Sequence, residues 1–229
     1  MANWLILLTF LWSTEPTLSK ADLLGKIDPE KDTRFVKPDD KYTKGSARSQ
    51  YLRKETYEAF QKMQKAAQKD GVSLFIVSAT RTFSMQKAIW ERKWNLPENA
   101  HLEGKARARQ ILLYSSMPGT SRHHWGTDID LNDLSNAYFT HGNGLKEYEW
   151  LKTHAHKFGF CQTYTNKSLL NRKGYEEEKW HWSYLPLAKT YLTEYLKQIS
   201  AADITGFQGD TVVSKLPILE EYVQGVACH

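Results

Sequence analysis

The stretch SRHHWGTDID, Ser121 to Asp130, sets two histidines and two aspartates around one glycine. Neutral imidazole and carboxylate are both good zinc donors, and a catalytic zinc takes three protein ligands and leaves one position for water. TDIDL, Thr127 to Leu131, alternates apolar and polar residues and predicts a half-buried strand. On such a strand Asp128 and Asp130 share one face, and Ile129 and Leu131 share the other. Gly126 permits a tight turn that folds His123 or His124 back over the acidic face. The residue types alone leave open which histidine and which aspartate would bind.

A third donor stands further along, in EEEKWHWSY, Glu176 to Tyr184. Alternation there puts Trp180 and Trp182 on one face and His181 on the other. A histidine carried by a rigid strand is better aimed than one on a loop. A neighbouring carboxylate that does not bind the metal is what a zinc hydrolase needs as general base, and Glu176, Glu177 and Glu178 are at hand. The helical zinc-protease patterns HExxH and HxxEH are absent from the chain. His101, His141, His154, His156 and His229 read as ordinary surface or core residues.

Taken together, Ser-x-His-x-x-Gly-x-x-x-Asp followed by Glu-x-x-His-Trp resembles the zinc D-Ala-D-Ala carboxypeptidase family of the VanY and VanX type. That family belongs to a wider group with lysostaphin-like peptidases and the Hedgehog signalling domain. The resemblance implies that His123, Asp130 and His181 hold one zinc ion and that Glu178 is the general base. Because Glu178 and His181 would face opposite ways on a straight strand, Glu178 is expected at a bend or just before the strand. A further match, SATRTFSMQ, supplies Ser78, Arg81 and Gln86. It implies that Arg81 stabilises the oxyanion formed when water attacks the peptide carbonyl, a task suited to a rigid, permanently charged fork of donors. Ser78, Gln86, Ser121 and Trp182 are then candidates for substrate contact, with Ser121 on the terminal carboxylate or bracing its loop. One departure stands out, since the position of Asp128 is usually a small residue in the family. Here its carboxylate would either orient a metal histidine or bind a substrate amine. His124, which is not a motif ligand, is expected beside the mouth of the pocket.

The function this implies is hydrolysis near the C-terminus of a peptidoglycan stem peptide, of the D-alanyl-D-alanine carboxypeptidase type. L,D-carboxypeptidase, D,D-dipeptidase and wall endopeptidase are the alternatives within the family, and a zinc-bearing binding domain without catalysis is the alternative outside it. Arg81 and Glu178 speak against the last, because a structural zinc site needs neither. The net charge of +5 comes from scattered Lys and Arg, with no basic cluster or recognition motif for nucleic acid. A monomer is expected.

The elements that must position these residues follow from periodicity. Tyr51, Leu52, Phe60, Met63 and Ala67 predict a helix over 47–69 that stops before Gly71. VSLFIVSAT, Val72 to Thr80, predicts a buried strand, and SMQKAIWERKW and KARARQILLYSS predict two helices. A helix over 144–157, a strand in FCQTY and a last helix from Pro186 to about Gln198 complete the pattern. Helices and strands interleave too irregularly for a repeated βαβ fold. An α+β class is expected, with a small antiparallel sheet carrying the zinc site on one face and helices packed on the other. WLILLTFLW, Trp4 to Trp12, followed by polar residues, resembles the apolar part of a secretory signal peptide. The expected organisation is therefore a signal peptide over 1–20, a linker or arm over 21–46 and the peptidase domain over 47–229, exported to the periplasm or cell envelope without a stable membrane span. Cys161 and Cys228 are either one disulfide or two unpaired thiols.

Overall fold

Along Asp128–Leu131 the apolar side chains point one way and the carboxylates the other, and this single strand organises the sheet. The computed structural model describes residues 18–228. A two-stranded ribbon joins β1 (Phe35–Val36) to β2 (Leu52–Arg53). The main sheet is built from β3 (Ile76–Ser78), β4 (Asp128–Leu131), β5 (Phe160–Gln162) and β6 (His181–Tyr184), in the order β3-β4-β6-β5 and antiparallel throughout. Its register sets Asp130 opposite both Ser78 and His181, and Asp128 opposite Ser183.

The helices are α1 (Lys20–Leu23), α2 (Lys54–Lys69), α3 (Phe83–Trp94), α4 (Gly104–Ile111), α5 (Gly142–His154), α6 (Lys167–Leu170) and α7 (Leu185–Gln198). Tyr57, Phe60, Met63 and Ala67 give α2 a buried stripe at helical spacing, and the chain leaves it through Gly71 at φ +73°. With Ile76, Ile129, Leu131, Phe160 and Trp182 they form one hydrophobic cluster, on the face of the sheet away from the carboxylates. The expected α+β class is found, with a small antiparallel sheet whose carboxylates lie on one face and whose apolar residues pack against α2 on the other. A second cluster lies on the other side, where α1, α3, α4, α7 and the C-terminal residues meet around Trp90, Trp125 and Tyr195.

Boundaries differ from the sequence expectation in instructive ways. The helix expected from Ala47 begins only at Lys54, because Leu52 and Arg53 pair with the ribbon. The strand expected over 72–80 shortens to Ile76–Ser78. Within the expected linker or arm, Leu23 and Leu24 are buried in the second cluster and Phe35 packs in the ribbon. The tail beyond Ala201 is likewise packed, burying Ile204, Phe207, Val213, Ile218 and Val223 in the same cluster. A disulfide joins Cys161 on β5 to Cys228. No helix among the described residues is long and apolar enough to cross a membrane. The apolar run of the expected signal peptide lies outside the described residues.

Candidate active site and metal centre

Antiparallel pairing places Asp130 and His181 directly opposite on one face, where cross-strand Cβ atoms stand about 5 Å apart. His123 reaches the same point from a 3-10 turn, Arg122–Trp125, that precedes β4. That turn ends on Gly126 at φ +71°, and a Cβ there would meet the Phe35 ring at 2.5 Å. Only glycine fits both the left-handed backbone and the close approach of the arm.

One ligand atom each from His123, Asp130 and His181 lies within 4.8 Å of the other two, and all three residues are buried. Each imidazole has its outer nitrogen occupied. His123 donates from Nδ1 to the Ala79 carbonyl at 2.8 Å, leaving Nε2 facing inward. His181 meets Asp128 Oδ1 through Nε2 at 3.0 Å, leaving Nδ1 beside Asp130 Oδ1 at 3.0 Å and His123 Nε2 at 3.2 Å. Two imidazole nitrogens and one carboxylate, fixed from behind and converging, are a donor set that suits zinc.

The electrostatics fit a site made for a cation. Burial would raise Asp130, yet His123 and His181 hold its carboxyl far below the usual range. Burial, together with the charge of Arg81, lowers His123. Glu178 is pushed up to about 7, chiefly by burial. It sits outside β6, in a turn where the His181 amide donates to the Glu178 carbonyl at 3.3 Å. This bend brings Glu178 Oε2 to 3.7 Å from His181 Nδ1. Of the acidic triplet only Glu178 turns inward, and Glu176 is held outside by Lys167 at 2.6 Å.

A cleft of about 540 Å³ opens over the site, lined by Arg81, Arg92, Lys93, Tyr114, Asn136 and Trp180 among others. An inner pocket of about 40 Å³ adjoins His123, His181 and Glu178 and is walled by Gln86, Ser121, Tyr164 and Tyr175. Arg81, Gln86 and Ser121 all line the inner pocket, and Arg81 lines the cleft as well. Two other expectations, and one of the two roles expected for Asp128, are corrected. Ser78 lines neither the cleft nor the inner pocket, although it pairs with Asp130, and it is buried. Trp182 faces the opposite cluster, as alternation from His181 requires, and its indole donates to the Lys179 carbonyl. Asp128 is fully buried and its oxygens are taken by Arg122, Thr127, Ser183 and His181, so no substrate amine reaches it.

His124 is not at the mouth of the pocket but wholly buried behind it. Its Nε2 accepts from the Gly119 amide at 3.0 Å and its Nδ1 donates to the Arg81 carbonyl at 2.6 Å. Burial drives its pKa down to about 3, which keeps it neutral and able to do both. Tyr164, Tyr175 and Lys93 were not foreseen. They sit on segments distant in sequence, and no local spacing ties them to the motif residues.

Residues 49–187 match the family described as VanY, D-alanyl-D-alanine carboxypeptidase. The chain is 30% identical over 167 residues to the protein YodJ of Bacillus subtilis (strain 168), covering 71% of this chain and 56% of YodJ. It is 31% identical over 124 residues to a D-alanyl-D-alanine carboxypeptidase of Enterococcus faecalis (strain ATCC 700802 / V583), covering 52% of this chain and 43% of that protein. The chain thus spans about half the length of these curated relatives. Among solved structures it is similar to VanYB in complex with D-Ala-D-Ala, at 25% identity and TM-score 0.51, over 69% of this chain and 88% of that one. The LdcB LD-carboxypeptidase shares the fold at TM-score 0.54 and 24% identity, over 90% of this chain and 82% of that one. With the family match covering the strands and turns that assemble the site, this chain belongs to the VanY D-alanyl-D-alanine carboxypeptidase family.

Proposed function

We propose that this protein is a zinc-dependent carboxypeptidase that removes a C-terminal D-amino acid from peptidoglycan stem peptides outside the cytoplasm. The observation that carries the reading is the convergence of His123, Asp130 and His181 within 4.8 Å, with Glu178 and Arg81 lining the same pocket. A zinc ion held by these three would act as Lewis acid on a water molecule and on the scissile carbonyl.

The chain's own groups do the rest. Glu178, raised to about 7, takes a proton from the attacking water near neutral pH and returns it to the leaving amine. Arg81 lines both the cleft and the inner pocket, and its Nε, buried and without a hydrogen-bond partner, is free to meet the oxyanion. The inner pocket supports a small carboxylate-ended residue. Its Ser121 and Tyr175 hydroxyls are buried donors without partners, a costly arrangement unless something accepts from them. Arg81, Arg92 and Lys93 add positive charge over the cleft, which favours a peptide with a free carboxylate.

The test is incubation of zinc-loaded protein with muropeptides ending in D-Ala-D-Ala, in L-Lys-D-Ala, or cross-linked, with products read by mass spectrometry. Release of terminal D-alanine from the first is expected. Release from the second alone makes it an L,D-carboxypeptidase. Failure to bind zinc, or to cut any of them, would overturn the reading.

A further inference from the structure

Beside the metal site lies a charged pair that the reaction above does not use. Arg122 stands one residue before His123, and Asp128 two residues before Asp130. Their side chains are 1% and 0% exposed, and Arg122 Nε donates to Asp128 Oδ1 at 3.1 Å. The same Oδ1 faces His181 Nε2 at 3.0 Å. Asp128 Oδ2 accepts from Thr127 at 2.5 Å and from Ser183 at 3.1 Å, and Arg122 Nη2 donates to Ser183 at 2.7 Å. The guanidinium also lies over the Trp125 ring at 4.8 Å. Every oxygen position of Asp128 is committed, and neither member of the pair lines the cleft or the inner pocket.

An imidazole can offer either nitrogen to a metal, and the proton on the other one decides which. An acceptor fixed opposite Nε2 holds the proton there, orients the ring and makes Nδ1 the better donor. A lone carboxylate buried in that position would be an uncompensated charge, and a partnered one is not. We infer that Arg122 and Asp128 form a positioning unit for His181, in which Asp128 commits Nε2 so that Nδ1 is presented to the metal and Arg122 anchors Asp128. The inference rests on the metal-site reading of His123, Asp130 and His181. It concerns the quality of the site, since neither residue touches substrate.

The experiment compares wild type with Asp128→Asn and with the charge-neutral pair Arg122→Met/Asp128→Ala. Zinc affinity is measured by competition with a chromophoric chelator, and the cobalt-substituted proteins are compared by visible absorption. Both variants are expected to bind zinc about 10- to 100-fold more weakly. Their cobalt bands should shift, and kcat should recover at saturating zinc with KM little changed. The double variant removes the charges together and so keeps a folded readout if Asp128→Asn alone is too unstable. Zinc affinity within twofold of wild type in either folded variant would overturn the positioning role. His181→Ala serves as the reference: if wild type binds no zinc, or His181→Ala binds it equally well, the metal-site reading fails instead.

Discussion

His181 has a carboxylate against each ring nitrogen, and its behaviour towards protons follows from that. Burial opposes a charge on the ring, but hydrogen bonds with Asp128 and Asp130 outweigh it and hold the imidazolium up to about 9 before an ion binds. A metal needs Nδ1 bare and must displace that proton. Zinc affinity should therefore weaken about tenfold for each unit of pH below about 9, measured with a chelator competitor at fixed ionic strength. The stability of the metal-free protein runs the other way. The folded value lies above the ordinary 6.5, so the stabilisation is complete below about 6.5 and is lost as pH rises through about 9. Thermal melts of metal-free protein across that window check the sign. At Glu178, replacement by Gln should leave zinc bound and lower turnover by about 10²- to 10⁴-fold, read by metal analysis and peptide hydrolysis. Candidate donors around His123, Asp130, Glu178 and His181 are legible because each set is local, a turn plus a strand of period two, while the choice among the histidines, aspartates and glutamates is what the family resemblance implies. Arg122 as partner of Asp128 is not legible, because the turn closed by Gly126, and no strand or helix period, brings these two side chains together across six residues. Tyr175 in the pocket wall is not, because it comes from a segment with no local pattern shared with the motif residues.

At the scale of elements, the turn carrying His123 is gripped from three sides. Gly126 closes it against Phe35 of the arm, His124 ties it to the Arg81 and Gly119 backbones, and Trp125 donates to the Leu23 carbonyl at 3.1 Å. The Arg81 amide in turn donates to the His123 carbonyl at 3.1 Å. The His123 and Arg81 segments are thus braced on each other's main chain. Gly126→Ala should cost about 2 kcal/mol or more, from the left-handed backbone and the clash together, and should weaken zinc binding. Chemical denaturation and metal titration of the variant check both. His124→Ala should cost about 2–4 kcal/mol and lower kcat more than KM, by loosening Arg81. The sequence shows that Gly126 allows a turn, and it puts Glu178 at a bend or just before the strand. It did not show that the arm clamps that turn, since KIDPEKDTRFVKPDD is polar and the few apolar residues it docks with are spaced without a period.

Over the whole molecule, two hydrophobic clusters flank the sheet, and the tail closes one of them. Cys228 ties the tail to β5, and the Ala227 amide donates to the Thr163 carbonyl at 2.9 Å. The covalent link closes a separation of 67 residues that includes Tyr164, Tyr175, Glu178 and His181. Chain-entropy reasoning puts its contribution at about 4 kcal/mol. Reductant or Cys228→Ala should therefore lower the melting temperature, with activity falling in parallel as the 163–178 segment loosens. Scanning calorimetry with and without reductant measures the first. The tail was unreadable in sequence because it packs through 3-10 and π turns, which lack the 3.6-residue repeat. The cleft walls are supplied largely by α3, the residues after α4 and the loop at Leu134, whereas the groups that could hold an ion come from β4, β6 and one turn. Floor and walls are separate pieces of chain. Substitutions at Arg92, Tyr114 or Leu134 should therefore change which peptide the cleft admits while leaving His123, Asp130 and His181 in place.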